Sequence, residues 1–317
     1  MTFPVFDLHC DTAYALLGNN FSQRIDLHHN SGHIDLQRAT LLPKYAQCFA
    51  CFTSPADPNA EDKDLQLLFQ MQYEHLCDQL KQNEDIIRLA KSAADIDTNS
   101  KLGLISAILT IEGPAGFRYN ADALDALFDK GFRITTLGWN ESNCLAGSCV
   151  TGGGLTDRGA EYVMKAQQLG MLIDVSHLSD ESFWDVISMT QRPIIASHSN
   201  SRTVCSVKRN LTDDMFRAIC QTGGLAGINL YTEFLGDSVT LDTVCDHILH
   251  FLELDPSGKH IALGGDLDGC DSLPSGFTGI QSYCKLGDYM LSRGLSQDII
   301  YDIFWNNALG VIAQCCT

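Results

Sequence analysis

Apolar residues along this chain fall into two recurring patterns. Eight short β-rich runs stand out: VFDLHC (5–10), AQCFACFTS (46–54), LISAILTIEG (104–113), FRITTLGW (132–139), MLIDVSH (171–177), PIIASHS (193–199), LAGINLY (225–231) and HIALGGD (260–266). Several are continuous apolar runs rather than strict alternations, as expected for strands buried on both faces of a parallel sheet. Between them lie stretches with helical spacing, such as DLQLLFQMQYEHLCDQLKQN (64–83). LSDESFWDVISM opens with Ser179 as N-cap and LTDDMFRAICQ with Thr212, each followed by two acids that suit the helix dipole. Eight strand–helix units predict an α/β fold of the (β/α)8 TIM barrel type, with residues 1–317 as a single domain. Gly147–Thr156, GSCVTGGGLT, reads as the most flexible segment, a loop over the barrel mouth.

The polar residues that interrupt these runs sit at one end of them. Side chains i and i+2 of a strand share a face, so His9 and Asp11 point the same way at the end of the first run. The third run ends in Glu112, the fifth in His177, the sixth in His198, and the eighth in Asp266 and Asp268. In a barrel of this kind the active site is built at the C-terminal ends of the strands. Any one of these residues alone is adequately explained as a structural hydrogen-bonding group. Their coincidence on one rim points to a metal centre. The other seven histidines, His28, His29, His33, His75, His247, His250 and His260, read as surface or packing residues.

The ligand types suggest two cations, one held by His9 and Asp11, the other by His177 and His198. No lysine ends a strand, so Glu112 is left to bridge them. Imidazole and carboxylate ligation suits two Zn2+, with manganese or iron as alternatives. Such a pair lowers the pKa of a shared water and polarises a carbonyl. Asp266, not needed as a ligand, is placed to take the water's proton and pass it to a leaving amine. Asp268, in a Gly-rich turn, is expected to fix the loop. The chemistry is that of a hydrolase acting on an amide. The ligand set alone also allows another amide, a lactone or a phosphoester as substrate, or a non-catalytic metal-binding barrel.

Composition narrows the class further. The sequence is 45% apolar and 19% charged, as in a globular protein, and its formal charge of −18 argues against nucleic acid or an anionic membrane as partner. No run of about 18 apolar residues is present and no signal peptide is evident, so a cytoplasmic protein is expected, with its thirteen cysteines reduced. Cys48 and Cys51 match C-x-x-C, but on a strand they point to opposite faces, which disfavours a metal or redox motif.

The segments FDLHCD, HIDLQR, IEG, GLTDRGAEYVMKAQQLGMLIDVSHLSDESFWDVI, PIIASHSNSR, RNLTDD, GINLY and GGDLDG, in this order, make the chain resemble the membrane (renal) dipeptidase family of dizinc metallopeptidases. The resemblance implies a (β/α)8 barrel that hydrolyses dipeptides, including those with a D-residue at the C-terminal position, and a homodimer. It implies His9, Asp11, Glu112, His177 and His198 as zinc ligands and Asp266 as acid and base. It adds Arg209 as the partner of the substrate carboxylate, a role suited to a guanidinium fork, and Tyr231 as a substrate contact. One departure stands out. Many relatives carry a substrate-touching histidine after strand four, where this chain has Trp139 in TTLGWNESN. Stabilisation of a tetrahedral oxyanion is then expected to rest on a metal, helped by Asn140 or Asn143.

Overall fold

A computed structural model describes residues 2–316. Nine strands form among the described residues: β1 Val5–Cys10, β2 Tyr45–Phe52, β3 Ile87–Leu89, β4 Ile105–Glu112, β5 Phe132–Thr136, β6 Leu172–Asp174, β7 Ile194–Ala196, β8 Leu225–Ile228 and β9 Ile261–Leu263. All pairings among these nine strands are parallel. Eight strands close a barrel in the order β1-β2-β4-β5-β6-β7-β8-β9, with β9 returning to β1 through Asp7 and Leu263. The eight barrel strands are those expected from the apolar runs. The ninth, β3, was not expected. It pairs with residues 105–107 of β4, below the stretch 109–111 where β5 takes over.

The barrel has two apolar layers. Inside it, Phe6, Leu8, Ala46, Cys48, Ile108, Ile134, Leu172, Ile195, Leu225 and Ala262 pack together. Trp305, Ala308, Val311, Ile312, Cys315 and Cys316 close the N-terminal end of this interior. The ring of Phe6 lies 5.8 Å from that of Trp305. The outer faces of the strands, including Phe49, Cys51, Ile111 and Ile173, pack against helix residues such as Leu76, Val163, Phe216 and Phe251. Cys48 and Cys51 thus belong to different layers, as alternation requires. With the bottom plugged, the barrel interior opens only at the C-terminal mouth. No helix among the described residues is long and apolar enough to cross a membrane.

The helix starts read from the sequence form as expected. Ser179 accepts a hydrogen bond from Ser182 N at the head of Asp180–Met189, and Thr212 accepts one from Met215 N at the head of Asp213–Thr222. The segment Gly147–Thr156 lies at the mouth but is held by its own hydrogen bonds. Cys149 N donates to His177 O at 2.8 Å, Gly152 N to Ser148 O at 2.7 Å, and Ser179 Oγ to Gly153 O. It is an ordered turn laid along His177 rather than an open loop.

Candidate active site

The expected rim residues do converge, although the strands stop earlier than the apolar runs suggest. His9 lies in β1 and Glu112 ends β4, but His177, His198 and Asp266 sit two or three residues past β6, β7 and β9. His177 and Asp266 adopt left-handed backbone, with φ of 71° and 56°. That conformation is uncommon for residues with a Cβ and, where found, often marks a functional site. The turn bends each side chain back over the mouth. Close backbone packing seats His198: a Cβ on Gly227 or Gly264 would lie 1.9 or 1.7 Å from Ser197 O, so only glycine admits that carbonyl. β1 also slips register between Asp7 and Cys10, yet His9 and Asp11 still meet, with Nε2 3.5 Å from Oδ2.

Glu112 stands between two groups. Its Oε2 lies 3.3 Å from His9 Nε2, while its Oε1 lies 2.9 Å from His177 Nε2 and 3.6 Å from His198 Nε2. Asp266 Oδ1 is 3.8 Å from His9 Nε2, and its Oδ2 accepts a hydrogen bond from Asn229 Nδ2 at 3.0 Å. All five expected ligands and Asp266 are buried or nearly so.

The surrounding groups fix how the imidazoles face the centre. His177 Nδ1 lies 3.0 Å from Asn140 Oδ1 and His198 Nδ1 2.6 Å from Ser197 Oγ, which in turn donates to the buried Asp174 carboxylate. With Nδ1–H engaged in this way, each Nε2 turns a lone pair to the centre, the arrangement found around metal-bound histidines. Those two Nε2 atoms are only 3.0 Å apart. His9 Nε2 and Asp11 Oδ1 are buried with no hydrogen-bond partner among the described residues. Opposed lone pairs and unsatisfied buried donors and acceptors are costly unless something binds them. A pair of cations fits this set of residues.

The titration behaviour agrees with a site arranged around charge. Burial alone would lower the His9 pKa, but the nearby negative charges of Glu112 and Asp11 outweigh it and hold the ring well above the ordinary imidazole range. Burial likewise works against the Glu112 carboxylate, yet His9, His177 and His198 hold it well below its usual value. Burial and then the Glu112 charge push Asp11 up to about 8. Burial and the nearby cationic groups lower His177 and His198.

Arg209 is buried near these rings. Its Nη1 donates to Ser199 Oγ at 2.7 Å and its guanidinium lies 5.6 Å from the ring of Phe234. Its Nε and Nη2 are buried without a partner among the described residues, which leaves two parallel donors for an anion. A cleft of about 350 Å³ opens over the centre, bordered by Trp139, Asn140, Tyr231 and Phe234 among others. That is room for a small molecule. Trp139 packs edge-on against Phe52, with ring centroids 5.2 Å apart. Asn140 reaches the cleft but its carbonyl is engaged by His177. Asn143 does not serve as an oxyanion donor. Its Nδ2 donates to Leu137 O and its Oδ1 accepts from Leu145 N and Ala146 N, so it is consumed in a local turn. Asp268 fixes the loop as expected: its carboxylate accepts from Thr12 Oγ1 and His33 N, and its own N–H meets His33 Nδ1. Asn229, Ser197 and Asp174 escaped the sequence reading. The only signal was their place beside the strand-end histidines and Asp266.

The family model of the membrane dipeptidases, peptidase family M19, matches residues 1–316. An uncharacterized dipeptidase of Schizosaccharomyces pombe is 30% identical, over 98% of this chain and 80% of its own. An uncharacterized protein from the pqqA 5′ region of Klebsiella pneumoniae is 33% identical, over 71% of this chain and 88% of its own. The solved structure of a metallopeptidase from Rhodobacter sphaeroides, liganded with a phosphinate mimic of the dipeptide L-Ala-D-Ala, superposes with a TM-score of 0.89 at 24% identity, covering 99% of this chain and 100% of that one. The solved structure of a metallopeptidase named dipeptidase AC gives a TM-score of 0.88 at 26% identity, covering 100% and 99%.

Proposed function

The chain belongs to the membrane dipeptidase family of metallopeptidases, and on that premise we propose that it hydrolyses dipeptides, L,D-dipeptides included, with two zinc ions at the barrel mouth. The observation that carries the two-ion reading is the division of Glu112, one oxygen toward His9 and the other toward His177 and His198. His9 and Asp11 would hold one ion, His177 and His198 the other, and Glu112 both. Bound there, the ions would polarise the scissile carbonyl and bring the pKa of a shared water toward neutrality.

The chain's own residues supply the rest. Asp266, oriented by Asn229, accepts the proton of the attacking water and returns it to the departing amine nitrogen. Arg209 receives the terminal carboxylate of the dipeptide on Nε and Nη2. Trp139 and Phe52 form an aromatic wall against substrate, and Tyr231 borders the same cleft. The test is a panel of L,L- and L,D-dipeptides beside simple esters and lactones. Turnover confined to the esters or lactones would overturn the substrate class.

Arg209→Ala is expected to raise KM for dipeptides about 10–100-fold, the loss of one charge-assisted bidentate contact of about 1.5–3 kcal/mol. C-terminally amidated dipeptides should show no comparable change. Equal effects on both substrates would remove the anchoring role.

Metal affinity should depend on pH with a definite sign. Without metal, Asp11 keeps its proton up to about pH 8, and His9 is held protonated well above the ordinary imidazole range. Zinc must displace those protons. Affinity therefore weakens as pH falls below about 8, by about tenfold per unit for each proton displaced. Chelator competition between pH 6 and 8 measures this, and a flat profile would contradict it.

A further inference from the structure

At the opposite end of the barrel, Cys220, Asp255 and His260 bring three ligand atoms within 4.8 Å of one another. Cys220 lies in the last turn of helix Asp213–Thr222, Asp255 ends helix Leu241–Leu254, and His260 immediately precedes β9. The backbone fixes all three. Gly223 N donates to Cys220 O, Asp255 N to Phe251 O at 2.8 Å, and Ala226 N to His260 O at 2.9 Å. Two of the three side chains keep a free ligand atom. Asp255 Oδ1 accepts from the Ser257 hydroxyl at 2.6 Å, whereas Oδ2 is buried with no hydrogen-bond partner among the described residues. His260 Nδ1 lies 2.8 Å from Gly224 O, and as the donor there it leaves the other ring nitrogen with a free lone pair.

We propose that Cys220, Asp255 and His260 form a second cation site, for one thiophilic divalent ion of the zinc class, separate from the mouth. Thiolate, imidazole and carboxylate together are a zinc-type donor set, and three protein ligands leave the fourth position to water. Zinc bonds of about 2.0–2.3 Å set tetrahedral ligand atoms roughly 3.3–3.7 Å apart, so the cluster needs to close by about 1.5 Å at most on binding. His260 also borders an open cleft with Lys259, Asp302 and Asn306. Burial and the Asp255 charge push the Cys220 thiol up to about 12, so the free site holds S–H. Binding forms the metal–sulfur bond and releases that proton to solvent. The bound ion would tie together the entries to β8 and β9, whose far ends carry Asn229 and Asp266.

Cobalt distinguishes the two sites, because the five ligands expected at the mouth, His9, Asp11, Glu112, His177 and His198, offer only nitrogen and oxygen. Titrating the full-length protein with Co2+ should produce a near-ultraviolet sulfur-to-cobalt charge-transfer band. The band should be absent in Cys220→Ser, and in His260→Gln it should need about tenfold or more additional Co2+. It should persist in Glu112→Gln, which alters only the mouth. Near-ultraviolet circular dichroism checks that each variant is folded, and His260→Gln decides the matter if Cys220→Ser is not. No thiolate band in the wild type at saturating Co2+, or a band unchanged by Cys220→Ser or His260→Gln, would overturn the site.

Discussion

Asp266→Asn is expected to lower kcat by about 10²–10⁴-fold, the usual contribution of a placed proton-transfer group, while both metals stay bound. The substitution is nearly isosteric. Asparagine tolerates the left-handed backbone at this position, where φ is 56°. Its carbonyl can still accept from Asn229 Nδ2 where the Asp266 carboxylate now does. What disappears is a group able to take a proton and give it back. KM should change little, because Arg209 and the aromatic wall are untouched. Turnover near the wild-type level would remove Asp266 from the acid–base role, and a loss of metal would make it a ligand instead. Steady-state kinetics beside metal analysis separates the three outcomes.

Glu112→Gln should be more severe. The carboxylate faces His9 with one oxygen and two further imidazoles with the other. An amide presents one acceptor and one donor, so it cannot serve both sides, and it removes the negative charge that two cations would share. We expect the purified variant to lose at least one equivalent of metal and to lose turnover by about 10³-fold or more, beyond the contribution of any single proton-transfer group. It should remain folded, because the barrel interior and its C-terminal plug do not depend on Glu112. Full metal content with wild-type kcat would refute the bridging role.

These two effects differ in how far the sequence foretold them. Glu112 ends a long apolar run and is the last residue of β4, so strand end and side chain coincide. Asp266 was found for a looser reason. The run HIALGGD suggested a strand reaching it, yet β9 stops at Leu263, and the left-handed turn beyond brings the carboxylate to the mouth. Alternation predicted the meeting of His9 and Asp11, and they meet even though β1 slips register between Asp7 and Cys10. Supporting residues were harder to read. The Asp174–Ser197–His198 chain exists only because β6 and β7 lie side by side, a relation no local pattern records. Asn143 misled because its short amide could serve a turn or a substrate equally well, and the turn claimed it. β3 gave no signal, since three residues with Arg88 exposed carry too little periodicity. The barrel plug was not foreseen, because no local pattern in residues 305–316 records that they close the floor of a barrel.

Anomalous diffraction from crystals of the zinc-loaded protein tests the central claim most directly. The account predicts two peaks at the barrel mouth, one beside His9 and Asp11, the other beside His177 and His198, with an oxygen of Glu112 reaching each. A single peak there, or none, would contradict it.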